Sequence, residues 1–122
     1  MNKVEQAVRT FDDWMGDGGW PVEKGQASGR AQCCLKCPKH GKVYWLTRAV
    51  IKGIKRIFEL KNSMKISIPE EGKLHGCMVC NCDLRLKVHV PIQHIVENMT
   101  PQDLDKLRQL NCWITNEQDA LQ

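Results

Sequence analysis

Two Cys-x-x-Cys units, Cys34 with Cys37 and Cys77 with Cys80, constrain this chain more than any other feature. Two residues between cysteines let both sulfurs turn onto one centre. Two such units supply the tetrahedral four-sulfur set that a structural zinc ion takes. Residues 38–76 separate the units, a longer gap than a compact zinc ribbon has. Gly76 and Asn81 flank the second unit and tolerate the left-handed backbone that a metal knuckle often needs.

Seven cysteines in 122 residues are too many to pass over. Disulfides or a metal would explain them, and the redox compartment decides between the two. The chain begins with polar residues and no apolar leader run, and no apolar stretch approaches a membrane span. A reducing cytoplasm is therefore expected, with metal preferred over disulfide. The odd cysteine count points the same way.

Cys82 and Cys112 extend the ligand set to Cys34, Cys37, Cys77, Cys80, Cys82 and Cys112, and His40 and His75 could add to it. One zinc on the two pairs, a different four, two zinc ions on six thiolates, or an iron–sulfur cluster all fit this inventory. Cys33 reads as a spare thiol. Neither pair has the strand–helix context of a redox site, and neither is followed by the histidine of covalent haem attachment. The zinc-protease and deaminase motifs are absent, and Glu70 and Glu71 read as a charged turn. The expectation is a non-enzymatic protein.

The length suits one domain, residues 1–122. Residues 4–15 carry Val4, Ala7, Val8, Phe11, Trp14 and Met15 at helical spacing, stopped by Asp17-Gly18-Gly19 and Pro21. Gly25 and Gly29 weaken any helix over 22–32, so a loop or a turn or two is expected there. Residues 43–64 form the longest helical pattern, with Leu46, Val50, Ile54, Ile57 and Phe58 as its apolar stripe. Residues 65–68 read as a short strand. From Leu84 to Val90, apolar residues alternate with Arg85, Lys87 and His89, which predicts a strand with one apolar and one basic face. A short helix follows over 92–98. Thr100-Pro101-Gln102-Asp103 is a helix start, and Asn111 an end. Residues 115–122 are expected to fray. The fold class expected is α+β: a small zinc-ribbon-like knuckled sheet packed on a long basic helix, with short helices at both ends.

The formal net charge of +4 is small. Bound to a divalent ion, four thiolates would lower it by about two. Local charge says more. Lys42, Arg48, Lys52, Lys55, Arg56, Lys61 and Lys65 face only Glu59 in their stretch. With Arg85 and Lys87 they make Arg48, Lys52, Lys55, Arg56, Lys61, Arg85 and Lys87 candidate phosphate contacts for a nucleic acid. The other partner considered is a host protein complex, anchored by a tryptophan. Trp20, between Gly19 and Pro21, is the tryptophan expected at the surface.

The sequence resembles a family of small Cys-rich proteins of bacteriophage and prophage genomes. The resemblance is carried by Trp14, Pro21, Arg30 with Cys34-x-x-Cys37-Pro38, then Lys73-Leu74 and the run from Cys77 through Pro91, Ile95, and Cys112-Trp113-Ile114. It covers about residues 11–117, and the stretch from Cys77 to Pro91 is its most specific part. Asn81 stands where the family has glycine, Asp83 where it has proline, and Cys33 is extra. The resemblance implies six structural cysteines, a phage origin and expression in the cytoplasm of a bacterial host. It implies no agreed activity; the residues themselves point to a nucleic-acid-binding accessory protein or, as the alternative, a protein-binding inhibitor of a host defence system.

Overall fold

A computed structural model describes residues 3–41, 49, 52–56, 59, 67–79 and 82–121. The described chain is mostly helical. Its elements are α1 (Lys3–Gly16), α2 (Lys24–Leu35), β1 (His40–Gly41), a 3-10 turn (Glu71–Lys73), β2 (Gly76–Cys77), β3 (Cys82–Asp83), α3 (Leu84–Lys87), α4 (Ile92–Val96), α5 (Pro101–Gln109) and α6 (Trp113–Ala120).

In α1, Ala7, Phe11 and Trp14 are buried one turn apart, while Val8 is 39% exposed. Thr10 Oγ1 donates to the Gln6 carbonyl at 2.8 Å, so a polar residue shares the buried stripe at little cost. Gly18 and Gly19 both have positive φ, 100° and 66°, and the Gly19 N–H donates to the Trp14 carbonyl at 2.8 Å. That cap ends α1 where the glycines predict.

The loop, or one or two helical turns, expected over 22–32 is instead the first part of the continuous helix α2. Ala27, Ala31 and Cys34 fall at helical spacing and are buried, with Arg30 beside them. Gly25 and Gly29 lie on the exposed side. Each costs about 1 kcal/mol of helix propensity, and packing of the small-residue face offsets it.

The predicted strand over Leu84–Val90 is also corrected. The segment opens with the helical turn α3 and continues in turns: Val88 N–H donates to Leu84 O at 3.2 Å, His89 N–H to Leu86 O at 3.0 Å and Val90 N–H to Lys87 O at 3.1 Å. Alternation needs one solvated face to mean anything. Here Leu86, Lys87, Val88, His89 and Val90 are all at most 2% exposed, so the basic face does not exist.

The sheet has three strands of two residues each, in the order β1-β2-β3, antiparallel throughout. Cys77 lies between His40 on one side and Cys82 on the other. Such a sheet is a clasp rather than a layer, so the zinc-ribbon sheet packed on a long helix is not the architecture. Residues 49, 52–56 and 59 are helical, as expected for that stretch. The rest of 43–64, and 65–66 of the predicted strand, lie outside the described residues. Residues 67–68 are not strand.

The Thr100 cap is present: its side chain accepts from the Asp103 N–H at 3.1 Å, with proline opening α5. Asn111 takes φ 55° at the far end, beyond Leu110. The chain does not fray there. It turns into α6, where Trp113, Ile114 and Thr115 are buried. Helices α1, α4, α5 and α6 pack on one another around a single core that also takes in Leu74, Leu84 and Cys77.

Candidate metal centre

Cys33 and Cys34 sit on the last turn of α2, and Cys37 follows its C-cap. The Cys37 N–H donates to Cys34 O at 3.0 Å and the His40 N–H to Cys37 O at 3.1 Å. These turns fold the first Cys-x-x-Cys unit back toward β1. The Met78 N–H donates to Lys39 O at 2.9 Å, which ties the second unit to the first. Cys112 is the N-cap of α6. The left-handed Asn111 before it lets the chain reverse, and the Cys112 N–H donates to Leu107 O at 3.0 Å.

The result is a cavity of 240 Å³ lined by Cys33, Cys34, Cys37, Cys77 and Cys112 together with apolar residues such as Leu84, Leu107 and Ile114. All five cysteines are free thiols. The structure therefore brings Cys34, Cys37, Cys77 and Cys112 to one place from residues far apart in sequence. It also adds Cys33, which the sequence suggested was spare. Cys80 and the side chain of Cys82 lie outside the described residues, although the Cys82 backbone pairs with Cys77. Among the described residues no three His, Cys, Asp or Glu groups stand close enough to grip an ion as they are.

The donor chemistry fits a thiolate-bound metal. Burial pushes the Cys34 thiol up to about 12, against the opposing hydrogen bond from Trp113, with Cys112 and Cys33 nearby raising it further and Lys87 lowering it. Such a thiol stays protonated without a cation, and a metal would displace its proton. Trp113 Nε1–H donates to Cys34 Sγ at 3.1 Å. His40 Nε2 accepts the His75 backbone N–H at 3.0 Å, so that nitrogen is already in use. Burial and the neighbouring His75, ring centroids 5.6 Å apart, hold His40 below its ordinary pKa.

A second feature lies away from the cysteines. Lys52, Lys55 and Arg56 line a groove of 780 Å³ together with Arg85, Glu59 and Glu71. Lys55 is ion-paired with Glu71. Four of the predicted phosphate contacts thus share one groove. Lys87 does not join them, being 2% exposed. Arg48 and Lys61 lie outside the described residues. His89, placed by its alternation on the basic face of the predicted strand, is buried at 2% exposure, and His94 at 7%. Trp20 is 74% exposed, as its flanking residues predict.

Sequence reasoning missed Arg30 as a structural centre and Glu117 altogether. Arg30 was visible only as an arginine next to the first cysteine unit. Glu117 sits in a stretch with no apolar periodicity to mark it. Among the described residues no helix is long and apolar enough to cross a membrane. Comparison with protein-family models, curated proteins and solved structures returned no match.

Proposed function

We propose that this chain is a non-enzymatic protein in which cysteine thiolates hold a structural zinc ion, and that it works by binding nucleic acid along the groove beside residues 52–56. The convergence of Lys52, Lys55, Arg56 and Arg85 on one groove carries the binding half of this reading. Arg85 comes from α3, well separated in sequence from residues 52–56, so the groove is a tertiary feature rather than one helix's solvated face. Glu59 and Glu71 in the same groove would set where a phosphate backbone can lie. The five free cysteines around one cavity support the zinc half and a reducing compartment such as a bacterial cytoplasm.

Titrating labelled single- and double-stranded DNA against the protein at several salt concentrations tests the binding half. The expected result is an affinity that falls steeply with salt, since cationic side chains release counterions from the backbone. Absence of binding to either at low salt contradicts it.

One observation favours a second reading, inhibition of a host protein complex. Trp20 is the most exposed of the large apolar residues described, at 74%. Tryptophan is enriched among the residues that anchor protein interfaces. Loss of a pulled-down protein partner on Trp20→Gln, with DNA binding absent, would move the function to that reading.

A further inference from the structure

Behind Cys34 the cavity wall is a run of buried polar contacts that zinc binding by thiolates does not itself require. Trp113 Nε1–H donates to Cys34 Sγ at 3.1 Å, and both residues are buried, at 6% and 7% exposure. The face of the same indole carries the Arg30 guanidinium, 4.4 Å from the ring centroid. Arg30 is fixed in turn on every nitrogen. Its Nε and Nη2 donate to the two Glu117 carboxylate oxygens at 2.8 and 2.6 Å. Its Nη1 donates to the carbonyls of Val88 at 2.9 Å and Val90 at 2.7 Å. An indole has one N–H and no acceptor. With its face clamped by Arg30, its single donor is aimed at the sulfur.

We propose that Trp113 is a positioning residue of the metal centre: it donates its indole N–H to the Cys34 thiolate, and the Arg30–Glu117 pair holds the ring in that pose. This rests on the zinc reading above and adds an outer layer to it. A hydrogen bond to an ionised sulfur is stronger than one to a thiol, so the contact favours the metal-bound state over the metal-free one. It also draws electron density from the sulfur, which lowers the energy of its lone pairs and makes Cys34 a poorer nucleophile. Metal ligands are commonly supported by outer partners of this kind, and losing one costs about 10–100-fold in metal affinity. The relay further explains why the chain after Cys112 continues as an ordered helix: α6 delivers both Trp113 and Glu117 to the wall behind Cys34.

The experiment compares the wild type with Trp113→Phe and Glu117→Gln, each loaded with Co²⁺ as an optical substitute for zinc. Phenylalanine keeps an aromatic ring beneath Arg30, smaller than the indole, and removes the N–H. The result expected for Trp113→Phe is unchanged tetrahedral visible bands, sulfur-to-cobalt bands moved to lower energy, and a metal affinity down by about tenfold in chelator competition. Glu117→Gln moves the same bands in the same direction by less. Identical bands and affinity in Trp113→Phe overturn the proposal. A wild type that shows no sulfur-to-cobalt bands overturns the zinc reading instead. The hydrogen bond is then judged in the metal-free protein by exchange of the Trp113 indole proton. Protection lost in Cys34→Ala supports the contact, and protection unchanged there overturns it.

Discussion

Arg30 and Glu117, 87 residues apart in the chain, meet through two hydrogen bonds of 2.8 and 2.6 Å. The arginine is 2% exposed and the carboxylate 25%. This pair binds the C-terminal helix to α2 across most of the chain's length. Removing the carboxylate leaves a buried guanidinium without its counter-charge, with only two carbonyls left to it. Breaking a fully buried pair costs about 3–5 kcal/mol, and the partial exposure of Glu117 brings the expectation for Glu117→Ala to about 2 kcal/mol. Urea unfolding measures it. A loss no larger than that of an ordinary surface substitution would show that the pair does not hold the helix.

The groove and the buried lysine separate two roles that composition alone merges. Lys52→Gln, Arg56→Gln and Arg85→Gln should each weaken DNA binding and lower its salt slope by about 1, while leaving thermal stability nearly unchanged. Lys87→Gln should do the reverse. Lys87 is buried against the core with Cys34 in its field. Its replacement should lower stability and leave the salt slope as it was. Salt titrations and melting curves of the four variants check both halves, and a reduced slope for Lys87→Gln would count against the groove as the contact surface.

His89 gives the fold a pH dependence. Burial, then Lys55, Arg30 and Lys24 in that order, lower its pKa to about 4. Among the described residues its Nε2 finds no hydrogen-bond partner to compensate a charge there. The folded value lies below the unfolded one near 6.5, so between them the unfolded chain binds more protons. Stability from this group is therefore complete above about pH 6.5 and is lost as pH falls toward 4, by roughly 3 kcal/mol in all. Unfolding by urea at pH 7 and pH 5 measures the difference, and His89→Leu should shrink it. Equal pH sensitivity in wild type and variant would assign the effect to other groups.

Trp14 and Trp20 test how far exposure separates residues of one type. Trp14 is 1% exposed and donates its Nε1–H to the Trp20 carbonyl at 2.9 Å. Trp14→Ala should cost about 3–5 kcal/mol, whereas Trp20→Gln keeps that carbonyl and should stay within about 0.5 kcal/mol. Thermal melts of the two variants decide it. A large loss for Trp20→Gln would mean that its ring, which lies against Gly18, shapes the turn after α1.

The elements with local signals were legible in the sequence. The glycine stop of α1, the Thr100 cap and the left-handed Asn111 are each written in two or three adjacent residues. Cys34, Cys37 and Cys77, which their spacing pointed to as a set, line one cavity with Cys112, which stands alone in its stretch and was only a further candidate. The errors came where tertiary packing outweighed local pattern. Gly25 and Gly29 argued against a helix that Ala27 and Ala31 secure by close packing. The alternation from Leu84 to Val90 imitated a half-exposed strand, yet both of its faces are buried, so Lys87 and His89 lie inside. Glu117 left no trace, since its partner is 87 residues away and nothing in its own stretch is periodic.

Elemental analysis of the protein purified under reducing conditions, read beside its absorption spectrum, bears most directly on the cysteine centre. About one or two zinc ions per chain with no visible colour is the predicted result, and a chelator should then unfold the chain. Protein that is folded and free of metal would contradict it, and so would iron with sulfide and a brown colour, which would turn the cysteine cavity toward electron transfer.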